Sequence, residues 1–140
     1  EAETEAGRIL QGLGLSQDLL YEPMGGLADR DKVKILLARA LVGQPDIILL
    51  DEPTAFLDLP NRYELATLLR RLTRDEGKCI LFSTHDLDVA LSLCDSVALI
   101  DTPSLHHLPA GEMVGSGLIE RLFSGENARF DPETRTVRLR

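Results

Sequence analysis

Ile47-Ile-Leu-Leu-Asp-Glu-Pro-Thr-Ala-Phe-Leu-Asp58 is the stretch whose reading decides the fold. Four apolar residues that end in two adjacent carboxylates describe a buried parallel strand. Such a strand delivers Asp51 and Glu52 to its carboxyl end, where open α/β sheets bind ligands. An ordinary buried strand followed by a solvated acidic turn would explain the apolar run and the acids alone. It does not explain the continuation through Pro53 to Asp58, or a second strand, Cys79 to Ser83, that leads into Ser83-Thr84-His85-Asp86.

Upstream, Val33, Leu36, Leu37, Ala40 and Leu41 recur at helical spacing, with Gly43 and Pro45 closing the run. Ala6, Ile9, Leu10 and Leu13 predict an earlier helix ended by Gly12 and Gly14, and Ser16 caps a short turn through Asp18 to Leu20. Downstream, Pro60 opens a helix with Leu65, Leu68, Leu69 and Leu72 on one face, which Gly77 closes. Asp86 is a candidate N-cap for a helix burying Leu87, Ala90, Leu91 and Cys94, and Val97 to Ile100 reads as another short strand. Strands alternating with helices imply parallel crossovers. The expected fold is therefore α/β and three-layered, a mostly parallel sheet of about three core strands flanked by helices.

From Thr102 the texture changes to a loop reaching Gly111, a short helix around Leu118 to Phe123, and a terminal β-hairpin turned at Asp131-Pro132. Two domains follow, 1–101 and 102–140. His106 and His107 have no acidic or cysteine neighbours at ligand spacing and are read as exposed loop residues.

The chain has 140 residues, of which 44% are hydrophobic, enough for a real core. Its net charge of −8 argues against a nucleic-acid surface, because phosphate binding needs clustered Lys and Arg. Arg70, Arg71 and Arg74 are read as one helix face. The two cysteines, Cys79 and Cys94, fit no metal spacing and read as small buried hydrophobes, which suits a reducing cytosol. No stretch approaches the roughly twenty apolar residues of a membrane span.

Leu36-Leu-Ala-Arg-Ala-Leu41, Leu49-Leu-Asp-Glu-Pro-Thr54, Leu57-Asp58 and Ser83-Thr-His-Asp86 resemble, in order and spacing, the C-terminal half of an ATP-binding cassette (ABC) ATPase domain. The resemblance covers roughly residues 5 to 101 and implies a partial P-loop NTPase fold. From about residue 47 onward, and in the tail, the chain looks like an iron-complex importer ATPase. Residues 1–46, with Gly12-Leu-Gly-Leu15 and Lys32-Val-Lys-Ile-Leu-Leu37, look like the ABC-F translation factors. That mixture is the pattern of a chimera or an engineered sequence.

The resemblance implies roles. Asp51 would hold Mg²⁺, Glu52 would polarise the attacking water, and His85 would sense the γ-phosphate by a hydrogen bond, with Thr84 supporting it. Asp58 would couple two opposed sites across a dimer interface; capping the following helix is an equally available role. The signature loop, which offers a serine hydroxyl and backbone amides to the partner subunit's ATP, falls on Leu27-Ala28-Asp29-Arg30-Asp31. Ala28 lacks the hydroxyl and Arg30 puts a long side chain where backbone must approach phosphate, so this loop is expected to be impaired.

No G-x-x-x-x-G-K-[ST] phosphate loop occurs in the sequence. The expected entity is half a catalytic domain, inactive alone, whose parent function is Mg·ATP hydrolysis driving import of an iron complex. Its partners would be the missing N-terminal nucleotide-binding half, a membrane permease subunit and a second copy, with no nucleic acid. Its place would be the cytoplasm, at the membrane through the permease. A non-catalytic chimeric or engineered module without nucleotide binding is the alternative, and a ribosome-bound translation factor a weaker third. In the family sheet a phosphate-loop strand lies beside the one ending at His85. Its absence predicts that Val97 to Asp101 moves over to pair with Cys79 to Ser83, or that another chain does.

Overall fold

The computed structural model describes residues 2–125 and 127–139, which fold as two units, Glu1–Thr84 and His85–Arg140. In the first, helix α1 (Ala2–Gly12) stops in a Schellman motif. Gly14 takes the left-handed conformation (φ 76°), the Leu15 amide donates to Leu10 O at 2.9 Å and the Gly14 amide to Gln11 O at 3.0 Å. Leu10 and Leu15, the pair that this motif brings together, are both in the core. Ser16 Oγ accepts from the Asp18 amide and starts a 3-10 turn, Gln17–Tyr21.

Helix α2 (Asp29–Leu41) presents a different face from the one the apolar stripe predicts. Lys34, Leu37, Ala38 and Leu41 are buried, while Leu36 is 55% exposed. The helix is rotated by about one position because Lys34 turns inward to meet Glu64, and adjacent leucines at 36 and 37 leave the apolar reading degenerate. Strand β1 (Ile47–Leu50) follows, then α3 (Leu59–Asp75), whose Leu65, Leu68, Leu69 and Leu72 are buried as expected. Gly77 (φ 65°) ends the turn into β2 (Cys79–Phe82).

β1 and β2 pair in parallel, Ile47 opposite Cys79 and Leu50 opposite Phe82, with α3 as the crossover that parallel pairing requires. Ile48, Leu50, Ile80 and Phe82 face a core built with Leu10, Leu37, Leu65 and Leu69. The other face is not buried, contrary to the reading of a doubly covered strand. Ile47, Leu49 and Leu81 are 64%, 70% and 60% exposed, and Cys79 is exposed rather than a buried hydrophobe. Helices α1, α2 and α3 each contribute to the core on the Ile48 side.

In the second unit, α4 (Leu87–Leu93) is capped by Asp86, whose Oδ1 accepts from the amides of Asp88 (3.1 Å) and Val89 (3.2 Å). Val89 and Leu91 are its buried positions. Strand β3 (Ser96–Asp101) does not join β2. It pairs antiparallel with β4 (Ser104–Pro109), from Ser96 opposite Pro109 to Asp101 opposite Ser104. A partner two residues away costs little loop closure and satisfies the edge locally, so the expected rearrangement onto Cys79 to Ser83 does not occur. β4 also replaces the expected loop. His106 and His107 are therefore strand residues, His106 half-buried and His107 exposed with its ring 2.9 Å from Ser96 Oγ.

Helices α5 (Ala110–Gly115) and α6 (Leu118–Leu122) place Met113 and Ile119 in a second core with Leu91 and Phe130. The terminal hairpin is present: β5 (Ala128–Asp131) pairs antiparallel with β6 (Thr136–Leu139), turned where Asp131 Oδ1 accepts from the Glu133 and Thr134 amides. The α/β class stands, but among the described residues the parallel sheet has two strands, not about three, beside two antiparallel pairs.

Candidate active site at the carboxyl ends of β1 and β2

The parallel register brings the ends of β1 and β2 level, and the Ser83 amide donates to Leu50 O at 3.1 Å beyond the last strand pair. This sets Ser83 beside the two acids. Its hydroxyl donates to Asp51 Oδ1 at 2.6 Å and accepts from the Glu52 amide at 2.9 Å. Asp51 is exposed and Glu52 half-buried. Glu52 has a φ of 44°, in the left-handed region that a residue with a Cβ enters at a cost of about 1 kcal/mol. The chain then turns twice, Ala55 donating to Glu52 O and Leu57 to Thr54 O, before α3 begins.

Strain at a carboxylate beside a strand end is a feature of functional sites, and it has a measurable signature. Glu52→Gly is expected to raise unfolding stability by about 0.5 kcal/mol, the relief being partly offset by glycine's freer unfolded chain. Glu52→Ala keeps the strain and should give no gain. Urea unfolding of the two variants checks this difference.

For a divalent cation, Asp51 offers the carboxylate oxygen that Ser83 leaves open. Among the described residues no group of three or more His, Cys, Asp and Glu forms a metal cluster. One carboxylate nevertheless suits Mg²⁺, which is commonly held by one or two carboxylates together with phosphates and water.

Ala28, Asp29, Arg30 and Asp31 begin α2. Ala28 is the N-cap and makes no side-chain cap hydrogen bond, although its φ of −64° and ψ of 149° suit a capping residue. Asp29 pairs with Lys32 at 3.2 Å and Arg30 with Asp31 at 3.5 Å, so the charges of this turn are compensated from within. Carboxylates complement the positive helix end and oppose a phosphate there. Ala28→Ser supplies the missing cap and should stabilise the chain by about 1 kcal/mol in urea unfolding.

Asp58 caps α3, its Oδ1 accepting from the Asn61 amide at 3.1 Å and from Asn61 Nδ2 at 2.6 Å. His85 is exposed and starts the second unit, directly before the capping Asp86. Ser83 joins two of the candidate residues, Asp51 and Glu52, by hydrogen bonds. The sequence alone assigns that serine no role, since its place beside Asp51, one residue beyond the Leu50–Phe82 pair, exists only in the register of the two strands.

No protein-family model matches the chain. It is 44% identical over 101 residues to the uncharacterised ABC transporter ATP-binding protein YkpA of Bacillus subtilis strain 168, a match covering 72% of the chain and 18% of YkpA. Its fold matches that of an inward-facing ABC transporter assigned to the metal-chelate type, with a TM-score of 0.75 and 25% identity, over 84% of this chain and 45% of that one. Its homologues are ABC transporter ATP-binding domains. A dimeric ABC cassette, MJ0796, in a post-hydrolysis state with ADP and Pi, matches with a TM-score of 0.66 and 25% identity over 76% of this chain and 46% of its own. The α/β core of the present chain is thus an ABC ATPase fold in part, and the chain spans less than half the length of each of these ABC proteins.

Proposed function

We propose that the chain acts as the carboxyl-terminal half of an ABC ATPase domain and becomes catalytic only when a nucleotide-binding half is added. The observation that carries this reading is the β1–β2 sheet: it ends in Asp51 and Glu52 and leaves Ile47, Leu49 and Leu81 exposed on one face. Apolar residues of a parallel sheet ordinarily lie under a covering layer, and ABC proteins of this fold have as much chain again in which to supply one.

In the assembled domain Asp51 would hold Mg²⁺ through water, and the ion would supply charge neutralisation at the nucleotide phosphates. Glu52 orients the attacking water and accepts its proton at a carboxylate oxygen, and His85 donates an imidazole N–H to the terminal phosphate, supported by Thr84. Asp58 and the Ala28 to Asp31 turn belong to the surface that meets a second copy; MJ0796, whose fold this chain shares in part, is itself dimeric. The motif-bearing part runs to Asp101, and residues 102–140 are its extension. The cargo is a metal chelate, an iron complex, carried by a membrane permease subunit. No helix among the described residues is long and apolar enough to cross a membrane. The iron-importer character from residue 47 outweighs the ABC-F character of residues 1–46, whose junction we read as chimeric.

Mg·ATP turnover, measured on this chain alone and with a phosphate-loop half taken from a relative, tests the reading. None is expected alone, turnover is expected in the mixture, and Glu52→Gln should reduce it by about a hundredfold or more. Turnover by the chain alone, or an inert mixture, overturns the reading. The acidic first turn of α2 favours a second reading, a folded module that binds no nucleotide; its signature is an unfolding midpoint unmoved by Mg·ATP in both preparations.

A further inference from the structure

We infer that Ser83 is a positioning residue for both acids, an inference that rests on the ATPase reading above for its catalytic consequence but not for its geometry. One oxygen atom serves two groups across the strand pair. The Glu52 amide can only donate, so it must use a lone pair of Ser83 Oγ, which leaves the single hydroxyl hydrogen for Asp51 Oδ1. The distances, 2.9 Å and 2.6 Å, are those of well-formed hydrogen bonds, the shorter being the charge-assisted one.

Each bond has a distinct effect. Held at Oδ1, the Asp51 carboxylate has its rotation fixed and turns its second oxygen to whatever cation arrives. Held at its amide, Glu52 keeps the left-handed backbone that it would otherwise leave. The Ser83 amide, bonded to Leu50 O at 3.1 Å, keeps the hydroxyl at this station, and His85 follows two residues along the chain. Ser83 thereby fixes the angle between a metal-binding carboxylate and a water-orienting one from a strand that carries neither. A side chain without a hydroxyl cannot do this, and an amide or acid of greater length would reach past both partners.

Threonine and valine have the same shape and differ in the hydroxyl, so Ser83→Thr and Ser83→Val isolate it. Amide hydrogen exchange, followed by NMR on the chain itself, is the first readout. Ser83→Val should speed exchange at Glu52 by about tenfold relative to Ser83→Thr, with the Leu81 amide, which lies between the Cys79 and Ser83 amides that donate to Asp46 O and Leu50 O, unchanged as a check on the fold. Loss of protection at Leu81 as well in the valine chain would mean that the hydroxyl holds the strand pair as a whole, and overturns a role confined to the two acids. The second readout is turnover in the reconstituted mixture. Ser83→Val should lower kcat by about tenfold with the KM for Mg·ATP unchanged, and Ser83→Thr should restore kcat. Equal Glu52 exchange in the two variants, or equal kcat, overturns the proposal. A wild-type mixture without turnover defeats the ATPase reading instead, and the exchange comparison still decides the role of Ser83.

Discussion

Leu37→Ala is expected to cost about 3 kcal/mol of unfolding free energy, while Leu36→Ala, one residue earlier, should change it by less than about 0.5 kcal/mol. Leu37 is 2% exposed and lies in the core with Leu10, Leu13, Leu41, Ile48 and Leu65, whereas Leu36 is 55% exposed. Truncating the first removes its transfer free energy and leaves a cavity that surrounding side chains fill only in part. Truncating the second removes contact with water. Against a total stability of about 5–15 kcal/mol for a domain, a loss of this size is a large part of what holds the fold. Urea unfolding of the pair measures the rotation of α2 directly: equal losses would place both leucines inward and contradict the structure.

The second large effect is expected at Lys34 and Glu64. The Lys34 ammonium, on a side chain only 11% exposed, donates to Glu64 Oε1, whose side chain is 50% exposed. Glu64→Ala leaves a nearly buried ammonium without its acceptor and should cost about 2 kcal/mol, less than a fully buried pair because water reaches the acidic side. Lys34→Met should be neutral or slightly stabilising, since an apolar chain of similar length needs no partner. The hydrogen bond from Lys34, and then its charge, hold the Glu64 carboxyl below its ordinary value of 4.5. A carboxylate depressed on folding contributes stability that is complete above its unfolded pKa and is lost as pH falls through the lower folded pKa. Stability should therefore decline below about pH 4.5, and more gently in Lys34→Met. Unfolding curves across that range, with the double variant closing the cycle, separate the pair from its surroundings.

Much of the fold is legible where one physical constraint acts alone. Leu65, Leu68, Leu69 and Leu72 share a face because nothing polar competes for it, and Asp58, Asp86 and Gly77 mark ends whose backbone groups need those residue types. Legibility fails where two constraints compete. A lysine on the inner face of α2 misaligns the apolar stripe by about one residue. The short turn at Thr102-Pro103 wins β3 from the parallel sheet, because local antiparallel pairing needs less chain entropy than a distant partner. Of the candidate site, the acids and their place at a strand end can be read from Ile47 to Asp58. The left-handed Glu52 and the two hydrogen bonds of the Ser83 hydroxyl cannot, since both arise from the register of two strands separated by α3.

The uncovered face of β1 and β2 also bears on aggregation. Ile47, Leu49 and Leu81 sit on a two-stranded sheet whose outer edges carry no further strand among the described residues. Apolar surface and open edges of this kind are what chaperones bind and proteases clear. Covering that face with a complementary half would bury it, so the concentration at which the purified chain begins to aggregate should rise when that half is added.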